Sequence, residues 1–322
     1  MNKLKTIGLT ALAGSLVAAT SVANAGEMTV TGQAKVSWTG KGGKAQDTTL
    51  TGTPFGMQHN IAFEGSGELD NGMTVSLYHD LETDGAAGST STITLDMGSM
   101  GVLTYGQDAY NPGIAKVDDI MPTADEEVSN GVSGDASAAS YQVDMGGNAF
   151  DYVYAFDMGK INFAYSRGNV DKEVDDGGTG GAGSGESGQS VHIDLKPIDG
   201  LRLVAGTGED GVVDQDTIAA TYAMGPVKVG VQRSDRSDSS IDDTEETYAS
   251  IAFAVNENLS ISYGIIETEF DTATEDQESE GFGIGYSMGG VTIKAHQNTT
   301  DNKAGAATDE YEHTEVAVTF AF

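Results

Sequence analysis

From Met28 onward the chain alternates apolar and polar residues with a period of two. Met28, Val30, Ala34, Val36 and Trp38 share one parity, while Thr29, Thr31, Gln33, Lys35, Ser37 and Thr39 share the other. Successive side chains of a strand point to opposite faces, so this pattern predicts a strand with one apolar and one polar side. It recurs at Phe55, Met57, Ile61 and Phe63, at Ile251, Phe253 and Val255, and from Leu259 to Ile265. At the end of the chain Val316, Val318, Phe320 and Phe322 oppose Glu315, Ala317, Thr319 and Ala321. No stretch of similar length has a helical period.

The connections sort by length. Tight turns at Asp70-Asn71-Gly72, Gly98 to Gly101, Asp157 to Gly159, Pro197 to Gly200, Gly225-Pro226, Asn256 to Asn258 and Gly289-Gly290 carry the Gly, Asn and Asp that hairpins require. Between them run polar segments at about 40–54, 83–89, 109–147, 169–187, 209–213, 237–244, 269–277 and 300–309. Seven short turns interleaved with eight long loops predict sixteen strands, with both termini on the short-turn side. A weak alternation at Ser140 to Val143 is read as part of the third long loop. A β-sandwich also alternates, but its connections need not sort by length. Short turns at one rim and long loops at the other fit an antiparallel transmembrane β-barrel with lipid outside and water inside. An exported acidic β-rich protein remains the alternative from another class.

Composition agrees with a wet interior. The hydrophobic fraction is 38%, and 49 acidic residues stand against 16 basic ones, a net charge of −33. Such a surplus repels phosphate backbones, which argues against nucleic-acid binding. The absence of cysteine excludes disulfides, thiolate metal sites and cysteine nucleophiles. Five histidines lie singly on different predicted strands, with no H-E-x-x-H and no G-x-S-x-G, so an enzyme is not expected. Acidic clusters at Asp171, Glu173, Asp175 and Asp176, and at Asp238, Asp242, Asp243, Glu245 and Glu246, suit diffuse Ca²⁺ or Mg²⁺ association rather than ordered metal sites. No cofactor is expected.

The N-terminus has the three parts of a signal peptide: Lys3 and Lys5, an apolar run from Ile7 to Ala19, and Ala23-Asn24-Ala25. The run is shorter than the roughly 20 residues of a membrane-spanning helix. Cleavage after Ala25 leaves 14 basic residues against 49 acidic, a net of −35, in a single barrel domain over 26–322.

These features together resemble the Gram-negative general porins. The ending Tyr311 to Phe322 resembles that family's terminal strand. Glu27 to Gly32 looks like its first strand, and Tyr105-Gly106-Gln107-Asp108 resembles its fifth strand entering loop three. The resemblance implies a sixteen-stranded homotrimer in the outer membrane, in contact with lipid and lipopolysaccharide, passing small hydrophilic solutes and ions. It implies that Phe322 and Phe320 form the signal for the barrel assembly machinery, and that loop three (about 109–147) folds inward to narrow the pore. A substrate-specific channel of the same fold is the nearest alternative. The chain departs from the family in its acidity and in lacking an arginine ladder.

Loop three holds Asp118, Asp119, Asp125, Glu126 and Glu127. Carboxylates in a constriction attract cations and disfavour anions. The resemblance places basic side chains across the pore from them. Strand parity assigns Lys35 and Lys294 to the lumen on one wall, with Arg202 and Lys228 also inward but near the short-turn rim. Arg167 and Arg233 have outward parity. Aromatic residues such as Trp38, Phe163, Tyr222, Tyr263 and Phe282 share the apolar parity and are read as interfacial belts; only Tyr78 and Tyr248 point inward.

Overall fold

The computed structural model describes residues 26, 28–42, 53–82, 90–108, 110–117, 120–128, 148–167, 187–211, 213–238, 243–307 and 310–322. The signal peptide, Asp118, Asp119, Ser140 to Val143, the Asp171 to Asp176 cluster and Asp242 lie outside these residues.

Sixteen strands follow one another around a single closed sheet. They are β1 (Met28–Gly42), β2 (Phe55–Glu68), β3 (Thr74–Glu82), β4 (Thr90–Asp96), β5 (Val102–Asp108), β6 (Ala149–Phe156), β7 (Gly159–Ser166) and β8 (Gly188–Leu195). The second half comprises β9 (Leu201–Glu209), β10 (Val213–Met224), β11 (Val227–Asp238), β12 (Thr244–Ala254), β13 (Leu259–Phe270), β14 (Gln277–Met288), β15 (Val291–Asp301) and β16 (Glu310–Ala321). Each strand pairs antiparallel with its sequence neighbours, as hairpins of sorted length dictate. The order, the count and the turn positions agree with the alternation read from the sequence.

Closure is made by β1 and β16, in register from Gln33 opposite Ala321 to Gly42 opposite Glu312. The ladder continues one residue further, with Gly32 and Phe322 exchanging both main-chain hydrogen bonds at 2.9 Å. A Cβ at Gly32 would lie 2.5 Å from the Phe322 ring, which packs over the glycine. With no free edge, the backbone groups of the strands are satisfied within the sheet, the condition for crossing hydrocarbon with strands.

Polarity is inverted relative to a water-soluble protein. On β12 the buried residues are Glu246, Tyr248 and Ser250, while Thr247, Ile251 and Phe253 on the other parity are exposed. The same holds on β14 and β15, where Ser279, His296, Asn298 and Thr300 are buried and Phe282, Ile284 and Ile293 are exposed. Outward aromatics and aliphatics face lipid, and inward polar groups face each other and water. Trp38, Phe163, Tyr222, Tyr263 and Phe282 are all on the exposed face, as parity predicted. No helix of the described residues is long and apolar enough to cross a membrane.

Replacing outward Ile265, at the middle of β13, by Arg is expected to cost about 2–4 kcal/mol. The same change at lumen-facing Gln58 should stay within about 0.5 kcal/mol. Urea unfolding from phospholipid vesicles measures both.

Candidate functional site

The barrel interior is divided by the segment that follows β5. Residues 110–117 and 120–128 meet strands from β6 round to β15. Tyr110 Oη donates to Asp151 Oδ2 on β6 at 2.9 Å, and Lys116 forms an ion pair with the same carboxylate. The Ile114 N–H donates to Ser190 Oγ on β8 at 3.1 Å. Gln232 of β11 donates to the Val117 carbonyl at 3.0 Å, and Ser250 of β12 to the Pro122 carbonyl at 3.0 Å. The Ala124 N–H donates to Ser262 Oγ on β13 at 2.8 Å, and Asn298 of β15 to the Glu127 carbonyl at 3.1 Å. The described part of loop three thus lies against the inner wall from β6 to β15.

An apolar seam sits beneath these bonds. Ile114, Val117, Ile120, Met121 and Val128 are buried against wall residues that include Ala164, Val204, Ala219 and Tyr248. Lumen walls are otherwise polar, so this seam is where the barrel holds a conventional apolar core. Each buried aliphatic side chain contributes about 1.5–3 kcal/mol. The approach is close: Gly113 adopts φ +64°, and a Cβ there would meet Ser190 Oγ at 1.9 Å.

At its far end the loop delivers Asp125 to the lysine-bearing wall. Asp125 Oδ1 lies 3.4 Å from Lys294 Nζ, and its Oδ2 lies 2.8 Å from His296 Nδ1. Burial pushes the Asp125 carboxyl upward, but the His296 hydrogen bond and the Lys294 charge outweigh it and hold it below its ordinary value. Lys35 pairs with Glu315 on β16 at 2.9 Å. A cavity of about 490 Å³ is bounded by Gln33, Lys35, Gln58, Asn60 and Glu82 on one side, Asp125 and Glu126 of the loop, and Thr292, Lys294 and Thr319 on β15 and β16. Glu126 is exposed to this space.

The sequence matches the Gram-negative porin family over residues 8–305. The chain belongs to that family. No curated protein matches it. Among solved structures, this porin is similar to OmpT, an outer membrane protein of Vibrio cholerae in trimer form, at 11% identity, covering 93% of this chain and 100% of that one with a TM-score of 0.68. It is also similar to the anion-selective porin from Comamonas acidovorans (14% identity, 92% and 99% covered, TM-score 0.66) and to Salmonella typhi OmpF in complex with daunomycin (14%, 92% and 98%, 0.63). At such identities the likeness is one of fold. As a Gram-negative porin the protein is a channel of the outer membrane.

The geometry of this porin departs from the sequence reading in one respect. Asp125 does not face the lysine wall across the pore; it is bound to it. Lys35 and Lys294 do line one cavity, as parity and closure implied. Arg202 grips Asp194 with Nε and Nη2 at 3.0–3.2 Å, away from the cavity, and Lys228 faces inward at the short-turn end of β11. Glu127 contributes its carbonyl to the wall contact. Arg233 points outward and pairs with Asp235 and Glu245, while Glu246 points inward and is buried, so that acidic cluster is split between the two faces. Among the described residues no three His, Asp or Glu side chains converge as a metal-binding group.

Sequence reasoning passed over Arg236, Lys116 and the histidines. Arg236 is buried on the lumen parity and pairs with Asp238. His296 and His313 appear isolated in sequence, yet both have inward parity on neighbouring strands, and His296 Nε2 lies 3.1 Å from His313 Nδ1. Parity combined with strand adjacency was the available signal.

A carboxyl held low stabilises the fold above its unfolded pKa and loses that contribution as pH falls through the folded value. Protease protection of the Asp125 segment should therefore be constant from pH 7 to about 5 and decline only below about 4. In Asp125→Asn protection should be lower at pH 7 and lack that acid decline.

Proposed function

We propose that the porin passes small hydrophilic solutes and ions by passive diffusion and prefers cations. One observation carries the preference: both lysines of the open cavity already hold a carboxylate partner, Glu315 for Lys35 and Asp125 for Lys294, while Glu126 stands exposed beside them. Paired charges largely cancel at a distance, so the field that a passing ion meets is set by the exposed carboxylates. Glu82, which accepts a hydrogen bond from Asn60 at 3.0 Å, adds to it from the opposite side. The Comamonas relative is named an anion-selective porin, so the shared fold leaves the sign of selectivity to the lining. Asp118 and Asp119 belong to the same reading as further loop-three carboxylates.

The working form is a homotrimer. β4 and β5 have seven residues each, fewer than the nine to eleven that a tilted strand needs to cross hydrocarbon, which favours protein rather than lipid against part of that wall. The outward band elsewhere meets lipid and lipopolysaccharide, with Ca²⁺ or Mg²⁺ associating diffusely with the acidic loops. Residues 1–25 direct export, and Phe320 and Phe322 serve as the signal for the barrel assembly machinery. Both aromatic side chains are outward and exposed, which suits recognition before closure.

Planar-bilayer conductance with a KCl gradient tests the reading. The expected reversal potential shows potassium preferred over chloride, and Glu126→Gln should reduce the permeability ratio about twofold. A chloride preference in the unaltered protein would refute it.

A further inference from the structure

The inner wall of the barrel is uneven in charge. No Lys or Arg occurs between Lys44 and Lys116, the stretch that supplies β2 to β5. Carboxylates do occur there, and alternation sorts them to one face. On β2 and β3 the exposed Met57, Ile61, Leu77 and Leu81 share the lipid-facing parity, so Glu64, Glu68, Asp80 and Glu82 of the other parity face the lumen. Register brings them into line. Asn60 stands opposite Glu82, Ala62 opposite Asp80 and Glu64 opposite Tyr78, while Thr74 lies between Glu68 and Asp96 of β4. Glu82, Asp80 and Glu64 therefore descend from the long-loop end in steps of about 7 Å, two residues along a strand. Glu68 and Asp96 complete the line at the short-turn end, where Asp96 also accepts from the Gly98 N–H at 2.8 Å.

Hydrogen bonds build the upper end of this line. Asn60 Nδ2 donates to Asp80 Oδ2 at 2.9 Å and to Glu82 Oε1 at 3.0 Å, so both protons of one amide are spent on two carboxylates. Asp80 is 4% exposed and also accepts from Tyr78 Oη at 3.3 Å and from the Thr90 N–H. Asp80 is thus taken up by the wall, and through Asn60 it fixes Glu82, which is exposed and lines the cavity. Among the described residues neither Glu64 nor Glu82 has a basic partner, whereas Asp125 and Glu315 each hold a lysine.

We propose that the β2–β3 wall is a selectivity-determining element of the pore, with Glu82 and Glu64 drawing cations along it and Asn60 as the positioning residue that holds Glu82 at the cavity. The inference rests on the cation-preferring reading above and names a wall, beyond loop three, as its source. Unpaired carboxylates on a low-dielectric wall focus their field into the adjacent water, and Asp and Glu lining a pore favour cations. The spacing matters as much as the sign. Steps of about 7 Å are shorter than the Debye length of about 8 Å at physiological salt, so a cation moving along the wall stays within the field of one carboxylate or the next.

Reversal potentials in planar bilayers with a KCl gradient test the assignment, on barrels whose folding is verified by heat-modifiable gel migration. Glu82→Gln and Glu64→Gln should each lower the potassium-to-chloride permeability ratio about twofold, and together about fourfold. Glu82→Asp should retain the ratio, and so should Glu267→Gln, which removes an exposed carboxylate from the lipid-facing side of β13. Asn60→Ala should lower the ratio by itself and change nothing further in Glu82→Gln, because it acts through that carboxylate. The single variants decide the matter if the double one does not assemble. An unchanged ratio in Glu64→Gln and Glu82→Gln, or an equal fall in Glu267→Gln, would overturn the proposal. An equal effect of Asn60→Ala with and without the Glu82 carboxylate would overturn the positioning role. Chloride preference in the unaltered protein would instead contradict the proposed function, so the two failures are distinguishable.

Discussion

A polypeptide that crosses hydrocarbon has nowhere to leave an N–H or C=O unpaired. Each such group costs several kcal/mol in lipid, so a sheet in a membrane has to return to its own first strand. In this porin the return is the β1–β16 pairing, completed by the two hydrogen bonds between Gly32 and Phe322. The outward apolar face is stable only because the sheet is closed and immersed, and the inward polar face is tolerated only because the closed sheet encloses water. The low hydrophobic content of the chain follows from the same condition, since lipid meets only alternate residues of each strand.

Closure leaves a second problem, which is how to hold an irregular segment inside a polar tube. The solution combines hydrogen bonds between wall side chains of five different strands and the N–H groups of Ile114 and Ala124 and the carbonyls of Val117, Pro122 and Glu127 with the apolar seam of Ile114, Val117, Met121 and Val128. The wall supplies the hydrogen-bonding side chains and the loop supplies the apolar ones. Electrostatics fixes the two ends, with Lys116 on Asp151 at the start and Asp125 on Lys294 and His296 at the finish. Beside the described part of the loop, a cavity stays open against β1, β2 and β16.

Parity made much of this legible before any coordinates. A period of two states which face a residue occupies, and that was enough to put Lys35 and Lys294 inside, Arg233 and Trp38 outside, and to place the turns and loops between sixteen strands. It does not state which inward residues touch across strands, because contacts between neighbours depend on the register, and registers are set by closure of the whole barrel. His296 and His313 were therefore read as solitary. Nor does it describe a segment with no period. The path of residues 110–128 depends on side chains from β6 to β15 acting together, so Asp125 was expected opposite the lysines and is found bound to one of them.

Val117 and residues 120–128 of loop three lie against the wall from β11 to β15 and leave a cavity open beside them. The chain has no cysteine, so a pair can be introduced without competition. A Cβ at Gly283 on β14 would lie 3.8 Å from that of Ala124, within the range of a disulfide, and 2.7 Å from Ser262 Oγ, a side-chain hydroxyl that has to turn aside. In Ala124→Cys/Gly283→Cys the bridge should form under mild oxidation, with single-channel conductance unchanged between oxidised and reduced states. Failure of the bridge to form in the folded barrel, or closure of the pore when it does, would contradict the account.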